Sequence, residues 1–256
     1  MIRVWLIAGL GFLYLPLVVL VVSSFNAERL AGVWGGFSWR WYRQVLADER
    51  MLQAALLSLE VAVASACLAT LLGFLAGHSL ARRRMRFRAG FAGMLLAPLV
   101  LPDLLIGFAF VLLFVVTGLP RGAGSIILAH ATIGMAYVAV VVEARLAATG
   151  TTLEDAARDL GATATEALLR ITVPSAAPAL AAGWLLAFTL SMDDLVVASF
   201  VSGPGATTLP MVIFSSLRLG ATPALAAIAT LVLATLVLAL LFVLLFRRLR
   251  SHTPAG

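Results

Sequence analysis

The sequence has no lysine, a single cysteine and few charges: only 12% of its 256 residues are charged. A P-loop needs a lysine to bind phosphate, so the chain cannot be a nucleotide hydrolase of that type. Because Cys67 is alone, an intramolecular disulfide is excluded. Soluble domains are about 25% charged, so this composition indicates a protein embedded in a membrane.

Apolar residues make up 62% of the chain and form six long runs. Since about 20 apolar residues cross a bilayer as a helix, we predict an all-α membrane protein with six transmembrane helices. The predicted spans are Val4–Val22, Ala54–Leu80, Ala89–Val116, Ser125–Leu146, Ala179–Phe200 and Ala224–Phe246. Arg3 before the first run also fits a cleaved signal peptide. A span is favoured because the run is longer than a typical signal core and a poor cleavage site follows it.

The net charge of +6 comes from 18 arginines, which lie in clusters beside the apolar runs. This placement is typical of membrane topology and not of a nucleic-acid surface. Twelve arginines fall on one set of connections: Arg3, Arg82, Arg83, Arg84, Arg86, Arg88, Arg145, Arg158, Arg170, Arg247, Arg248 and Arg250. The other connections hold six: Arg29, Arg40, Arg43, Arg50, Arg121 and Arg218. Since the arginine-rich side is normally cytoplasmic, we expect both termini in the cytoplasm and no nucleic-acid partner.

Two of the outer connections have recognisable features. The first, Asn26–Met51, carries the aromatic side chains Trp34, Trp39, Trp41 and Tyr42. Such side chains usually form a belt at the membrane surface, and a surface for an external partner is the alternative. The later connection, Ser202–Pro223, begins with Gly203-Pro204-Gly205, which predicts a turn.

The cytoplasmic connection over residues 147–177 has the pattern of two short helices joined at a glycine. Two candidate capping boxes start these helices, Thr151 with Glu154 and Thr163 with Glu166. The first helix is predicted to end near Gly161 and the second before Pro174. Helical spacing puts small and apolar side chains on one face of the first helix: Leu153, Ala156, Ala157 and Leu160. This stripe fits either a docking partner or a helix that lies on the membrane surface.

The same connection resembles the EAA motif of ABC importer permeases, which reads Glu-Ala-Ala, three residues, Gly, nine residues and Ile-x-Leu-Pro. Every spacing is kept, at Asp155, Ala156, Ala157, Gly161, Ile171, Val173 and Pro174. Two positions depart conservatively, with Asp for Glu at 155 and Val for Leu at 173. In that family the element is a coupling helix in a groove of the ATPase subunit. The resemblance therefore implies an ATPase-coupling role for Glu154 and for the motif residues.

Further segments resemble polyamine permeases, especially the putrescine type: Phe37–Tyr42, Ala97–Asp103, Trp184–Phe188, Ser191–Asp194, Ala198–Gly205 and Thr208–Pro210. The resemblance implies a type I ABC importer fold, with one permease domain over residues 1–256 in a bacterial inner membrane. It also implies three kinds of partner: a second homologous permease, two ATPase copies and a periplasmic polyamine-binding protein. ATP and Mg are then used by the ATPase subunit, and no cofactor is expected on this chain.

Four of the acidic residues inside the predicted spans have no arginine at the same depth: Glu60, Asp103, Asp193 and Asp194. An ionised carboxylate at mid-membrane costs about 2.5–3.5 kcal/mol, so such residues usually face a cavity or a partner. Carboxylates without matching cations suit a path for a small organic cation such as a polyamine. Pro98 and Pro102 are predicted to break the third span, which membranes tolerate beside a cavity.

Helix geometry limits how these side chains can act together. Because consecutive residues of a helix point apart, Asp193 and Asp194 are not expected on one face. His78 and His130 stand alone within spans and are interpreted as structural. No pattern of His, Cys, Asp, Glu or Ser indicates a metal or catalytic site, so we expect no enzyme activity in the chain itself.

Two alternatives remain open from the sequence. A self-sufficient, ion-coupled secondary transporter or channel for small organic cations would use the same carboxylates. It would not explain the two-helix cytoplasmic connection, and the inverted repeats typical of such carriers are not visible in the sequence. A membrane anchor that only scaffolds partners would leave the carboxylates in the spans unexplained.

Overall fold

The structure, a computed structural model, describes residues 2–29, 33–83, 85–218, 220, 222–235 and 237. The described part is helical, apart from an isolated antiparallel bridge between Asn26 and Phe37. It forms two compact units, Met1–Leu52 with Ile213–Gly256 and Gln53–Val212. The assignment of residues 1–256 to one permease domain stays a prediction.

The first unit contains α1 (Ile2–Ser23), α2 (Arg40–Ala47) and α12 (Pro223–Thr235). It also includes the start of the helix Glu49–Arg82 and the end of the helix Leu209–Arg218. The Asn26 amide organises the connection that follows α1: its Nδ2 donates to the Val33 carbonyl at 2.6 Å, and its Oδ1 accepts from the Gly35 N–H at 2.8 Å. Trp41 is buried and donates its indole N–H to the Asn26 carbonyl at 2.6 Å.

The three tryptophans and Tyr42 of this connection therefore divide into two pairs. Trp41 and Tyr42 are buried, and the Tyr42 hydroxyl lies 2.6 Å from Ser24 Oγ, so both rings belong to the packing of the unit. Trp34 and Trp39 are more than half exposed. This second pair, with the exposed Phe37 beside it, is free to meet a membrane surface or a partner.

The second unit contains most of the helices: α3 (Glu49–Arg82), α4 (Arg88–Val100), α5 (Asp103–Thr117), α6 (Ala123–Thr149), α7 (Thr152–Asp159), α8 (Ala164–Ala167), α9 (Val173–Asp193), α10 (Val196–Val201) and α11 (Leu209–Arg218). A single wide π-helical turn, Leu168–Thr172, joins α8 to α9. The predicted turn at Gly203 is confirmed, since the Ala206 N–H donates to the Gly203 carbonyl at 3.0 Å. The helix α11 that follows was not expected from the sequence.

Within the described residues, four helical segments are long and apolar enough to cross a membrane, or five if a bent pair counts as one span. The predicted break of the third span is confirmed at Pro102, where α4 and α5 meet at an angle of 113°, but not at Pro98, which lies inside α4. Pro102 causes the break, since proline has no N–H to donate and disfavours helical geometry in Leu101 before it. The predicted fifth span is also divided, because α9 ends at Asp193. The sixth predicted span lies partly outside the described residues.

The helices α3 and α6 approach each other closely at two glycines. A Cβ atom on Gly77 would lie 2.6 Å from the Ala139 carbonyl oxygen, and one on Gly73 would lie 2.6 Å from Val138 Cβ. Gly73 and Gly77 have the four-residue spacing that lets membrane helices pack backbone to backbone. Val138 and Val142 on α6 are fully buried in the core that results.

We expect Gly77→Val to destabilise the protein by about 1–3 kcal/mol, the usual cost of overpacking a dense core. The added side chain forces α3 and α6 apart at a contact between backbones. The melting temperature of the purified protein in detergent measures the effect. Gly90→Val makes the same change inside α4, where a Cβ meets nothing within 4 Å. Equal melting temperatures for the two variants would refute the close approach of α3 and α6.

Candidate functional site

Breaks in two helices create an acidic site within the second unit. The backbone is extended at Leu101 and Pro102, and α5 begins directly at Asp103. Likewise α9 ends at Asp193, and Asp194 is extended with φ −67° and ψ 126° before α10 begins. Irregular backbone at membrane depth is tolerated where it lines a cavity. Both interruptions therefore indicate a site at this position.

An open cavity of about 330 Å³ lies at these breaks. Its residues are Pro98, Asp103, His130, Ile133, Gly134, Tyr137, Leu190, Ser191, Asp193, Asp194, Leu195 and Val196. Three of them are carboxylic acids, and none of these described lining residues is an arginine. Charges act strongly on one another away from bulk water, so the cavity suits a ligand that carries positive charge and donates hydrogen bonds.

The structure brings together Asp103, Asp193 and Asp194, three of the four acidic residues predicted for a substrate path. The expectation that Asp193 and Asp194 cannot serve one site is wrong, because both line this cavity. That expectation assumed a continuous helix, and the helix ends between the two residues. Glu60 is exposed on α3 and is not among the lining residues. Its role in a path stays a prediction.

A buried chain of hydrogen bonds supports Asp194, and we call its members Ser65, Ser191, His130 and Asp194 the His130 network. His130 Nε2 lies 3.1 Å from Asp194 Oδ2, and Nδ1 lies 2.6 Å from Ser191 Oγ. Ser65 Oγ donates to Ser191 Oγ at 3.1 Å. Both ring nitrogens of His130 therefore have a hydrogen-bond partner in this network.

The Asp194 carboxylate also caps the first turn of α10. Its Oδ2 accepts from the Ala198 N–H at 2.7 Å and its Oδ1 from the Val197 N–H at 3.3 Å. Asp194 is thus held by three donors, which satisfies N–H groups that a helix start leaves without partners. The sequence pattern did not reveal this role, because it gave no sign that a new helix begins after Asp194.

The interpretation of His130 as a lone structural residue missed its contact with Asp194. The polar residues Ser65 and Ser191 inside apolar runs were the available signal. A serine, a histidine and an aspartate do meet here, as they do in hydrolases. However, Ser191 is buried, and the neighbouring N–H groups of Val197 and Ala198 bind Asp194 instead of forming an oxyanion site. The arrangement therefore has the form of a structural network.

We expect His130→Leu to lower the free energy of unfolding by about 1–3 kcal/mol, the cost of leaving buried polar partners unsatisfied. The change removes both ring hydrogen bonds, one with Ser191 and one with Asp194. Thermal unfolding in detergent measures it. Thr132→Val on the same helix is the control, since its hydroxyl donates only to its own helix at Leu128. A His130 variant as stable as this control would refute the network's contribution.

The connection over residues 147–177 forms a second site, and the helix boundaries predicted for it from the sequence are only partly correct. The capping box of Thr163 and Glu166 is confirmed, with the Glu166 carboxylate accepting from the Thr163 N–H at 2.9 Å. The box of Thr151 and Glu154 is wrong, because Thr151 makes no side-chain cap. Glu154 instead forms an ion pair with Arg82 at 3.0 Å.

The second predicted short helix does not end before Pro174 but runs through the π-helical turn into α9. The wide turn directly before Pro174 accommodates a residue that has no N–H for the regular helical hydrogen bonds, so the helix continues. Ile171 lies in the wide turn and Pro174 in the first turn of α9. The helix α7 is separate, as predicted, and Gly161 after it has φ +93°, a conformation that favours glycine.

The two faces of α7 differ. The predicted stripe is largely uncovered, with Leu153 70% and Leu160 90% exposed, Ala156 exposed and Ala157 half-buried. The opposite face, which includes Glu154 and Asp155, lines a second open cavity of about 380 Å³. Exposed leucines on a helix with charged flanks suit a protein partner. Among the described residues, no group of three or more His, Cys, Asp and Glu side chains could hold a metal ion.

Comparison with known proteins gives three kinds of match. Residues 69–251 match the family described as binding-protein-dependent transport system inner membrane component. The chain is 51% identical over 235 residues to the putrescine transport system permease protein PotI of Escherichia coli (strain K12), covering 89% of this chain and 84% of PotI. It is 40% identical over 242 residues to the spermidine/putrescine transport system permease protein PotC of Haemophilus influenzae, covering 94% of each.

Among solved structures, the chain resembles one from a bacterial ABC transporter involved in the import of the acidic polysaccharide alginate. The TM-score is 0.75 at 16% identity, over 98% of this chain and 94% of the other. A structure of the alginate transporter in complex with its pentasaccharide-bound periplasmic protein matches with a TM-score of 0.73 at 17% identity, over 100% of this chain and 94% of the other. At such identities the likeness concerns the fold, and it confirms the predicted all-α permease fold.

Proposed function

Because the chain belongs to the family of binding-protein-dependent transport system inner membrane components, we propose that it is the permease subunit of an ATP-driven importer for polyamines. Putrescine is the first expected substrate and spermidine the second. The two named relatives transport these compounds and share 51% and 40% of their aligned residues with this chain. The protein is a multi-pass protein of the bacterial inner membrane.

The observation that carries the substrate class is the cavity lined by Asp103, Asp193 and Asp194. Putrescine carries an ammonium group at each end of a four-carbon chain. Hydrogen bonds between ammonium and carboxylate groups are charge-assisted and stronger than neutral ones. Three carboxylates and no arginine among the described lining residues support a substrate of this charge.

The uncovered stripe on α7 is the proposed contact with an ATPase subunit. The chain has no lysine for a P-loop, so ATP and Mg are bound and used by that partner. We propose two copies of the ATPase, a second homologous permease beside this chain and a periplasmic polyamine-binding protein. Membrane lipid surrounds the remaining apolar faces, such as α1, whose Phe12 is 82% exposed.

In this arrangement both termini and α7 face the cytoplasm, as the distribution of arginines indicates. Arg84 and the arginines at 247, 248 and 250, which contribute to that argument, lie outside the described residues. A self-sufficient carrier coupled to an ion gradient would also use the three carboxylates. Such a carrier has no ATPase partner, so it would not explain the exposed leucines Leu153 and Leu160 of the stripe.

Uptake of labelled putrescine and spermidine into vesicles tests the proposed function. The chain is reconstituted with its neighbouring permease, ATPase and binding protein, and the control omits the chain. We expect uptake that requires both ATP and the chain. Uptake by the chain alone, driven by an ion gradient without ATP, would overturn the proposal in favour of a secondary carrier.

A further inference from the structure

Arg82, the last residue of α3, makes more contacts than a topology signal requires. Its Nε and Nη2 atoms both donate to the Glu154 carboxylate, at distances of 3.0–3.2 Å. Its Nη1 donates to the Leu146 carbonyl at 2.9 Å and its Nη2 to the Gly150 carbonyl at 2.6 Å. One side chain thus holds the last turn of α6, the glycine after it and the first turn of α7.

The surroundings of this contact make it strong. The Arg82 and Glu154 side chains are only 10% and 18% exposed, so solvent screens their attraction weakly. A planar guanidinium that meets a carboxylate through two nitrogens is fixed in direction as well as distance. The two carbonyls lie at the end of α6, where helix carbonyls lack partners within the helix and favour a cation.

A second ion pair, between Arg88 and Glu143, provides a comparison with the contacts of Arg82. Arg88 Nη2 lies 2.6 Å from Glu143 Oε1, but those side chains are 54% and 30% exposed and neither belongs to α7. Arg83 is exposed and has no ion pair among the described residues. Of these three arginines, Arg82 alone connects a long membrane-spanning helix to α7.

We propose that Arg82 and Glu154, with the carbonyls of Leu146 and Gly150, form a clamp that transmits movement between α7 and the helices α3 and α6. The inference rests on the proposed function, because it concerns how ATP hydrolysis in a partner reaches the spans. A helix of eight residues joined through flexible glycines at Gly150 and Gly161 could turn without moving the spans. The clamp removes this freedom at the start of α7. Glu154 is accordingly a positioning residue, because it binds Arg82 within the same chain. The stripe on the opposite face of α7 meets the ATPase.

The test compares Arg82→Gln and Glu154→Gln with Arg88→Gln in the reconstituted complex. Three quantities are measured: copurification of the ATPase, its rate of ATP hydrolysis in the presence of the loaded binding protein, and putrescine taken up per ATP hydrolysed. We expect both clamp variants to assemble and to hydrolyse ATP. We expect uptake per ATP to fall about tenfold in Arg82→Gln, within the usual range of coupling between sites. Arg88→Gln is expected to retain the wild-type ratio.

A structural role without transmission would lower hydrolysis and uptake together and leave their ratio unchanged. That result in both clamp variants would overturn the proposal. Failure of both variants to bind the ATPase would also overturn it, because the clamp would then serve folding alone. If the wild-type complex shows no ATP-driven uptake, the proposed function itself fails. If the wild-type complex shows ATP-driven uptake and the clamp variants keep its uptake per ATP, only the clamp proposal fails and the proposed function stands.

Discussion

Ala157→Arg is expected to reduce ATP-driven uptake to the level of vesicles without the chain. Ala157 lies in the stripe of α7, where a small side chain lets a partner approach the backbone. An arginine there places a long charged group in an interface otherwise formed by alanine and leucine, and burying an unpaired charge in such a place is very unfavourable. Copurification of the ATPase and uptake by the complex measure the result.

Three further variants sharpen this prediction. Ala89→Arg makes the same change at an exposed alanine in the first turn of α4, outside the stripe. It should assemble and transport normally. Leu153→Arg places the charge where the side chain is already 70% exposed, so it tests docking without disturbing packing inside the chain. Gly161→Pro should also uncouple the complex, because proline cannot adopt the observed φ of +93°. Normal uptake in these stripe and glycine variants would refute docking through α7.

Asp193→Asn is expected to raise the KM for putrescine uptake about 10- to 100-fold while the complex still assembles. The amide keeps the size of the carboxylate but loses the charge that attracts an ammonium group. A hydrogen bond to a charged group contributes about 1.5–3 kcal/mol, and each 1.4 kcal/mol corresponds to about tenfold in affinity. Asp103→Asn should act in the same direction, since both side chains line the cavity.

Asp194→Asn provides a contrast within the same pair of residues. An asparagine keeps one oxygen, which can still accept the shorter bond from the Ala198 N–H that caps α10, so we expect less loss of folding than of transport. Asp48→Asn is the control, because Asp48 is an exposed carboxylate that caps the start of α3 and an amide can do the same. Unchanged kinetics in Asp193→Asn, in Asp194→Asn and in the double variant would refute a substrate path through this cavity. Glu60→Gln tests separately whether a path reaches that part of α3.

Several features of the structure could be predicted from local patterns in the sequence. Apolar runs of about 20 residues determine spanning helices, because a bilayer leaves backbone groups no other partners than their own helix. Thr163 and Glu166 define a helix start that depends only on residues three apart. Gly161 and the stripe on α7 also followed from local spacing, and the structure agrees with each.

Features that depend on distant residues could not be derived in this way. The bend of 113° at Pro102 was predicted as a break, but its angle is set by what α4 and α5 pack against. The hydrogen bond between His130 and Asp194 joins residues 64 positions apart, and the one between Arg82 and Glu154 joins residues 72 positions apart. In both cases the sequence showed an ionisable side chain but no partner.

The sequence by itself determined the membrane setting, the helical class, the resemblance to polyamine permeases and the segment proposed to meet a partner. These follow from hydrophobicity, from spacing within one or two turns and from recognisable motifs. Only the tertiary structure decided that Asp193 and Asp194 share one cavity, that Asp194 caps a new helix and that Glu154 is bound to Arg82. The physical reason is that a carboxylate's function depends on which donors surround it, and packing between helices brings those donors from elsewhere in the chain.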